Sequence, residues 1–178
     1  MNNKDLVNIK TDRLIIRSIK EGDWRPFQKI WDDQKKSEYA IYDNPKDLSD
    51  DVVRELIKKW VDHQSLEHIF LVVSLGPEII GFINFNLNGE RHEISYGFKK
   101  EYQGKGFARE AVCAAIAELS RHGIKKFFAG TGLKNIPSVK LLKAVGFKQT
   151  GIEKVSFYKD SEGNPIYFDG GIYELDMP

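Results

Sequence analysis

The sequence is poor in the features that mark specialised protein classes. It has one cysteine, Cys113, in 178 residues. No internal disulfide can form, which fits a reducing compartment. Lys and Arg number 27 against 26 Asp and Glu, a net charge of +1. Such a balance excludes the global attraction to nucleic acid or membrane surfaces that a strongly basic chain exerts. No apolar run approaches the roughly 18 residues of a membrane-spanning helix. The opening Met1-Asn2-Asn3-Lys4-Asp5 is polar and carries no apolar signal-peptide core, so a cytoplasmic location is expected. There is no internal repeat and no low-complexity tract. His63, His68, His92 and His122 lack ligand spacing; they read as single surface residues, and no metal is expected.

What is present is ordinary globular material, with 41% hydrophobic and 30% charged residues. The length fits a single domain over residues 1–178. Leu14-Ile15-Ile16 reads as a first strand. Asp23 is placed to cap a helix in which Trp24, Phe27, Ile30 and Trp31 recur three and four apart, the spacing of a core-facing stripe. Asp32 to Asp47 is polar and irregular, with Tyr39 and Tyr42 embedded, and reads as a loop that could form a substrate rim. Ser49-Asp50-Asp51 caps a second helix carrying Val53, Leu56, Ile57, Trp60 and Val61.

The period then changes. Ile69 to Val73, Glu78 to Phe85 and Glu93 to Phe98 read as three successive antiparallel strands, divided by Gly76-Pro77 and Asn88-Gly89. Gly97 inside the third suggests a bulge, or close approach by another backbone or a ligand. Ala108, Ala111, Val112, Ala115, Ile116 and Leu119 form the clearest helical stripe, with Cys113 beside it as a small core residue. Lys126 to Ala129 follows as a strand, parallel to the one before the helix by the crossover rule. Asn135-Ile136-Pro137-Ser138 opens a further helix whose Leu141, Leu142 and Val145 face inward, and Gly146 ends it. Two closing strands turn at Asp160 to Asn164. The order is strand, two helices, three strands, helix, strand, helix, two strands: an α+β fold on a mixed sheet.

The chain is organised around Tyr96 to Glu110, where a strand enters a glycine-rich turn that becomes a helix without a break. Close glycines turn successive backbone N–H groups toward one point, and the helix start adds unpaired donors and a partial positive charge. Such a turn is an anion cradle or a plain connection, and its own residues leave both open. Two rival phosphate loops fail. A P-loop needs Ser or Thr after Gly-Lys, and here Gly106 follows Lys105. A dinucleotide fingerprint needs a small residue where Arg109 stands, and an acid after the next strand.

What remains resembles the GNAT N-acetyltransferases, which bind acetyl-CoA. Gln103-Gly104-Lys105-Gly106-Phe107-Ala108 is similar to their pyrophosphate loop, and Asn135-x-x-Ser138 with Gly146-Phe147 to their second cofactor motif. Thr11-Asp12-Arg13-Leu14-x-x-Arg17 followed by Asp23-Trp24 resembles the opening of the subgroup containing ribosomal-protein alanine N-acetyltransferases. The resemblance implies a three-layer fold in which backbone N–H groups of Gly104 to Ala108 hold the CoA pyrophosphate and Lys105 adds charge. Backbone of Tyr96, Gly97 and Phe98 would pair with the pantetheine arm. Asn135 and Ser138 would meet the cofactor near its sulfur.

It also implies the chemistry. A primary amine, on a small molecule or a protein N-terminus, must lose a proton and attack the thioester. An α-amine of pKa about 8 is nearly ready at neutral pH, whereas a lysine at about 10.4 needs more help. Glu93 is the candidate base, acting through water or raised by burial, with a salt bridge inside the fold as its structural alternative. Ser138 resembles the subgroup's proposed proton donor, with a helix-start hydrogen bond as its structural alternative. The tyrosine many family members use is Leu142 here, and the subgroup's acidic base falls at Phe157, between Ser156 and Tyr158. These departures leave a second reading, a non-catalytic acyl-CoA-binding module. A homodimer is left open. Asp32, Asp33, Tyr39, Tyr42 and Asp43 would suit a cationic acceptor.

Overall fold

The computed structural model describes residues 7–178. Residues 1–6, on which the signal-peptide expectation rests, lie outside the described residues. The chain forms β1 (Asn8–Lys10), β2 (Ile15–Ser18), α1 (Trp24–Lys35), α2 (Asp50–Asp62), β3 (His68–Leu75), β4 (Glu78–Asn88) and β5 (Arg91–Phe98). There follow α3 (Phe107–Arg121), β6 (Lys126–Gly132), α4 (Ile136–Val145), β7 (Lys148–Lys159) and β8 (Pro165–Asp176). One sheet runs β1-β2-β3-β4-β5-β6-β8-β7. Every neighbour is antiparallel except the pair β5 and β6. This is the α+β mixed sheet expected, with β1 as an unforeseen strand; three residues are too few to show a period.

The sheet separates two apolar layers. Beneath α3, Ala111, Val112, Ala115, Ile116 and Leu119 pack on Ile83, Phe85, Ile94 and Phe127. Small alanines let that helix lie close. On the opposite face Phe27, Ile30 and Trp31 of α1 and Val53 and Ile57 of α2 cover Phe70, Val72 and Phe82. The Phe27 ring stacks on Phe82 at 4.9 Å and Trp60 on Phe70 at 4.7 Å. The α1 aromatics are core residues, as their spacing predicts.

Several local expectations are corrected. Asp23 does not cap α1: its carboxylate takes two hydrogen bonds from Arg17, at 2.7 and 2.9 Å, and one from the Lys20 N–H at 2.8 Å. Ser49 precedes α2 but makes no side-chain cap bond. Helix α1 extends to Lys35, absorbing Asp32 and Asp33 from the presumed loop. Cys113 is exposed, because it sits one step past Val112 on the outward side of α3. His92 is buried, and its ring bonds the Leu66 carbonyl at 2.8 Å. Of Leu141, Leu142 and Val145, only Leu142 is fully covered. Gly97 makes no bulge: it pairs in register with Phe82. A Cβ there would lie 2.6 Å from the Phe82 ring, 2.8 Å from the Gln34 amide and 2.9 Å from Ile30. The close approach is by side chains of α1 and β4, so glycine is what lets α1 rest on the sheet.

Candidate active site

The parallel pair β5 and β6 stays together over only two positions, His92 with Phe127 and Glu93 with Phe128. Beyond them the strands part, while β5 remains paired to β4 as far as Phe98 and β6 to β8 as far as Gly132. A wedge therefore opens inside the sheet. Backbone groups alternate along a strand. The Lys99 N–H bonds the Ile80 carbonyl of β4 at 2.9 Å, so the backbone groups of Tyr96 and Phe98 face the wedge and those of Gly97 face β4. The Phe98 carbonyl is taken by the Gln103 side-chain amide at 2.9 Å. The N–H groups of Tyr96 and Phe98 and the Tyr96 carbonyl remain as an open strand edge. Gln103 thus spends its amide on closing the turn.

The turn stands at the mouth of the wedge. Gly104 has φ +72° and Gly106 +80°, left-handed values that let the chain double back into α3. Gly106 is the helix N-cap and offers no side chain. Among the described residues, no protein acceptor takes the N–H groups of Gly104 to Arg109. Six successive donors at a helix start form an anion cradle, and a diphosphate fits it. Lys105 holds its ammonium 5.7 Å from the Tyr102 ring.

The cradle is braced from behind by residues that carry the N-terminal resemblance. Glu110, in the first turn of α3, accepts from the Thr11 hydroxyl at 2.6 Å, from the Arg13 N–H at 3.2 Å and from Arg13 Nε at 2.7 Å. Arg13 also donates to the Lys105 carbonyl at 3.2 Å and lies 4.4 Å over the Phe107 ring. Burial pushes the Glu110 carboxyl up, but the bonds from Thr11 and Arg13 outweigh it and hold it below its ordinary value. Sequence reasoning quoted Arg13 without giving it this task. The signal available was an acid in the first turn of α3 and an unassigned arginine about a hundred positions away.

One cleft of ≈ 990 Å³ connects these parts. It is lined by Glu93 to Phe98 on β5, Ala129 to Thr131 on β6, Gln103, Gly104 and Gly106 to Arg109 of the turn, and Asn135 and Ser138 at the start of α4. Asp33, Tyr39, Tyr42 and Asp43, from the end of α1 and the segment after it, line another part of its wall. Glu93 is exposed on the cleft wall at the last paired position before the wedge, and no ion pair or hydrogen bond holds it among the described residues. Asn135 caps α4, its oxygen accepting the Ser138 N–H at 3.4 Å.

The Ser138 hydroxyl shares a 2.8 Å hydrogen bond with the Tyr96 hydroxyl. Burial pushes the Tyr96 phenol up to about 12, against the pull of that bond, so it stays neutral through the physiological range. The side chain of Tyr96 was not singled out from sequence, where its backbone alone drew attention. It adds a tyrosine hydroxyl to the cleft although Leu142 is buried in the core. Phe157 rests its ring 5.7 Å from Phe168. Cys113 is not among the residues lining the cleft; although it lies on the exposed face of α3, partial cover by its neighbours pushes its thiol up, with Arg109 pulling it back.

Known proteins share this fold and much of this sequence pattern. The family model of the acetyltransferase (GNAT) domain matches residues 13–148. An uncharacterised N-acetyltransferase named p20 from Bacillus licheniformis is 30% identical, over 88% of this chain and 89% of that protein. The [ribosomal protein uS5]-alanine N-acetyltransferase of Escherichia coli strain K12 is 29% identical, over 83% of this chain and 81% of that protein. Among solved structures, the ribosomal L7/L12 alpha-N-protein acetyltransferase RimL in complex with coenzyme A has a TM-score of 0.81 at 18% identity, covering 96% of this chain and 98% of that one. With a family model spanning most of its length and an N-acetyltransferase relative over nearly all of it, the chain belongs to the GNAT acetyltransferase family and is an acyltransferase.

Proposed function

We propose that this protein, as one domain over residues 1–178, transfers the acetyl group of acetyl-CoA to a primary amine, both held together in the cleft. The observation that carries this is the run of unpaired N–H groups from Gly104 to Arg109 beside the open β5 edge. Diphosphate charge suits the first, and the amide-bearing pantetheine arm, extended like a strand, suits the second. Bound there, acetyl-CoA supplies a thioester carbonyl. The residues of this chain do the rest.

The acceptor nitrogen needs a lone pair, so its ammonium gives up a proton. Glu93, free on the cleft wall, receives it through a water. As nitrogen bonds to the carbonyl carbon, charge gathers on oxygen, and the Tyr96 or Phe98 N–H is placed to stabilise it. The carbon–sulfur bond then breaks. The nitrogen's remaining proton passes to the departing thiolate, of ordinary pKa about 8.5, relayed through the hydroxyl of Ser138, which the Tyr96 hydroxyl orients. Proximity of the two reactants within the cleft supplies much of the rate. The acceptor is a protein N-terminal amine, as the name of the E. coli relative suggests for that enzyme, or a small-molecule amine. A reducing cytoplasm suits this chemistry and the single Cys113.

Calorimetry with acetyl-CoA, followed by thiol release over a panel of amines and peptides, tests the reading. The expected result is tight binding and amine-dependent release. Binding without acetylation of any acceptor would leave only an acyl-CoA-binding module. Absence of CoA binding would overturn both readings.

A further inference from the structure

The cleft has a side branch. A second cavity of ≈ 510 Å³ opens between the end of α1, the 40–48 segment and the β7–β8 strands. Trp31, Ile41, Leu48, Tyr158 and Ile166 supply its apolar wall. Gln34 and Asp43 line both cavities, so they stand where the branch leaves the main cleft.

The acids at the end of α1 and in the segment after it, Asp32, Asp33 and Asp43, differ in what they already hold. Asp32 is paired with Lys36 at 2.6 Å. Asp33 is paired with Lys29 at 2.5 Å and accepts the Lys100 N–H at 3.1 Å. The Asp43 carboxylate has neither an ion pair nor a hydrogen bond among the described residues, and it is half-buried. Burial pushes its carboxyl above the ordinary value, with Lys46 pulling it partly back. Lys46 itself donates to the Asn44 carbonyl and lies 5.9 Å from the Trp31 ring. A desolvated carboxylate without a donor costs stability, and such costs persist where a ligand relieves them.

We propose that Asp43 receives the ammonium of the acceptor and that the side cavity receives a bulky apolar group attached to the same amine. The acceptor class is then a primary amine carrying an aromatic or large aliphatic group nearby, free or at a peptide N-terminus. The rim also carries Lys35, Lys46 and Lys159. Asp43 is the one acid lining this cavity against those three lysines, which disfavours a second cation there and so a polyamine. This inference rests on the acetyl-transfer reading and adds the identity of the acceptor to it.

The test uses the full chain with acetyl-CoA and compares kcat/KM for tryptamine, ethylamine and spermidine. Two short peptides with free N-termini, Ala-Phe and Ala-Gly at their starts, distinguish a peptide source from a free amine. Tryptamine should exceed ethylamine and spermidine by at least about tenfold, the worth of burying one large apolar group. If the natural source is a peptide, the Ala-Phe start should exceed the Ala-Gly start by a similar factor. Ile166→Asp should narrow the ratio of tryptamine to ethylamine. Asp43→Asn should raise the amine KM about tenfold, as loss of a charge-assisted bond does, while the thermal midpoint at pH 7 stays level or rises. Equal kcat/KM for tryptamine and ethylamine, preference for spermidine, or an unchanged amine KM in Asp43→Asn would overturn this inference alone. No turnover of any amine would overturn the transfer reading and this inference together.

Discussion

The two ends of the cleft are built from different materials. At the α3 end, the functional groups are backbone N–H groups, aimed by two glycines and braced by Arg13 and Glu110. At the α1 end they are side chains from distant segments: Asp43 and Tyr42 from the loop after α1, Tyr158 and Ile166 from β7 and β8. A backbone site depends on conformation and tolerates changes in side-chain identity. A side-chain site depends on identity and retunes with single substitutions. The first end should therefore fail through strain and the second through lost specificity.

The largest effect should come from Gly106→Val. At φ +80° a β-branched residue is strained by a few kcal/mol, so acetyl-CoA affinity should fall about 100-fold by calorimetry. An unchanged Kd would show that the cradle is not the pyrophosphate site. The next effect is that of Glu93→Gln. It should lower kcat by about tenfold at pH 7, and by less near pH 9, where an α-amine of pKa about 8 has already lost its proton. A loss that stays constant with pH would remove Glu93 from proton transfer.

Tyr96→Phe should lower kcat by several-fold, the worth of about 1 kcal/mol for one hydrogen bond, with the acetyl-CoA KM little changed. Because the phenol is pushed up to about 12, it is neutral at every working pH. The wild-type profile between pH 7 and 10 should carry no falling limb from this group. A limb that disappears in Tyr96→Phe would contradict the assignment.

The smallest effect should come from Arg13→Ala. The pair with Glu110 is partly exposed, with side chains 44% and 21% accessible, so the expected cost is about 1 kcal/mol. It should appear as a lower Tm and a few-fold weaker acetyl-CoA binding. The held-down Glu110 carboxyl sets the sign with pH. Its stabilisation is complete above its unfolded value, about 4.5, and disappears as pH falls through its lower folded value. The Tm difference between wild type and Arg13→Ala should therefore close in acid.

What could be read from sequence follows the same division. Gly104, Gly106 and the alanine stripe of α3 lie within one continuous segment, where local rules for turns and helix starts apply. The mixed sheet was equally legible, because its long strands alternate or run apolar. The three-residue β1 was too short to show a period. Asp43 could be named as an acid near aromatics, but not separated from Asp32 and Asp33. What separates them is that Lys36, Lys29 and the Lys100 N–H have claimed the other two. The bond between Tyr96 and Ser138 joins β5 to α4 across 42 positions. Neither residue type announces it. Asp23 misled as a cap because its better partner, Arg17, lies upstream and outside the helix.

The wedge between β5 and β6 has an evolutionary consequence. The groups it leaves open are main-chain amides at Tyr96 and Phe98, present whatever side chain the gene encodes, and only proline removes a donor. A lineage can then replace most of its residues and still inherit the seat for one partner. Selection is left free to rework the acceptor end, one codon at a time.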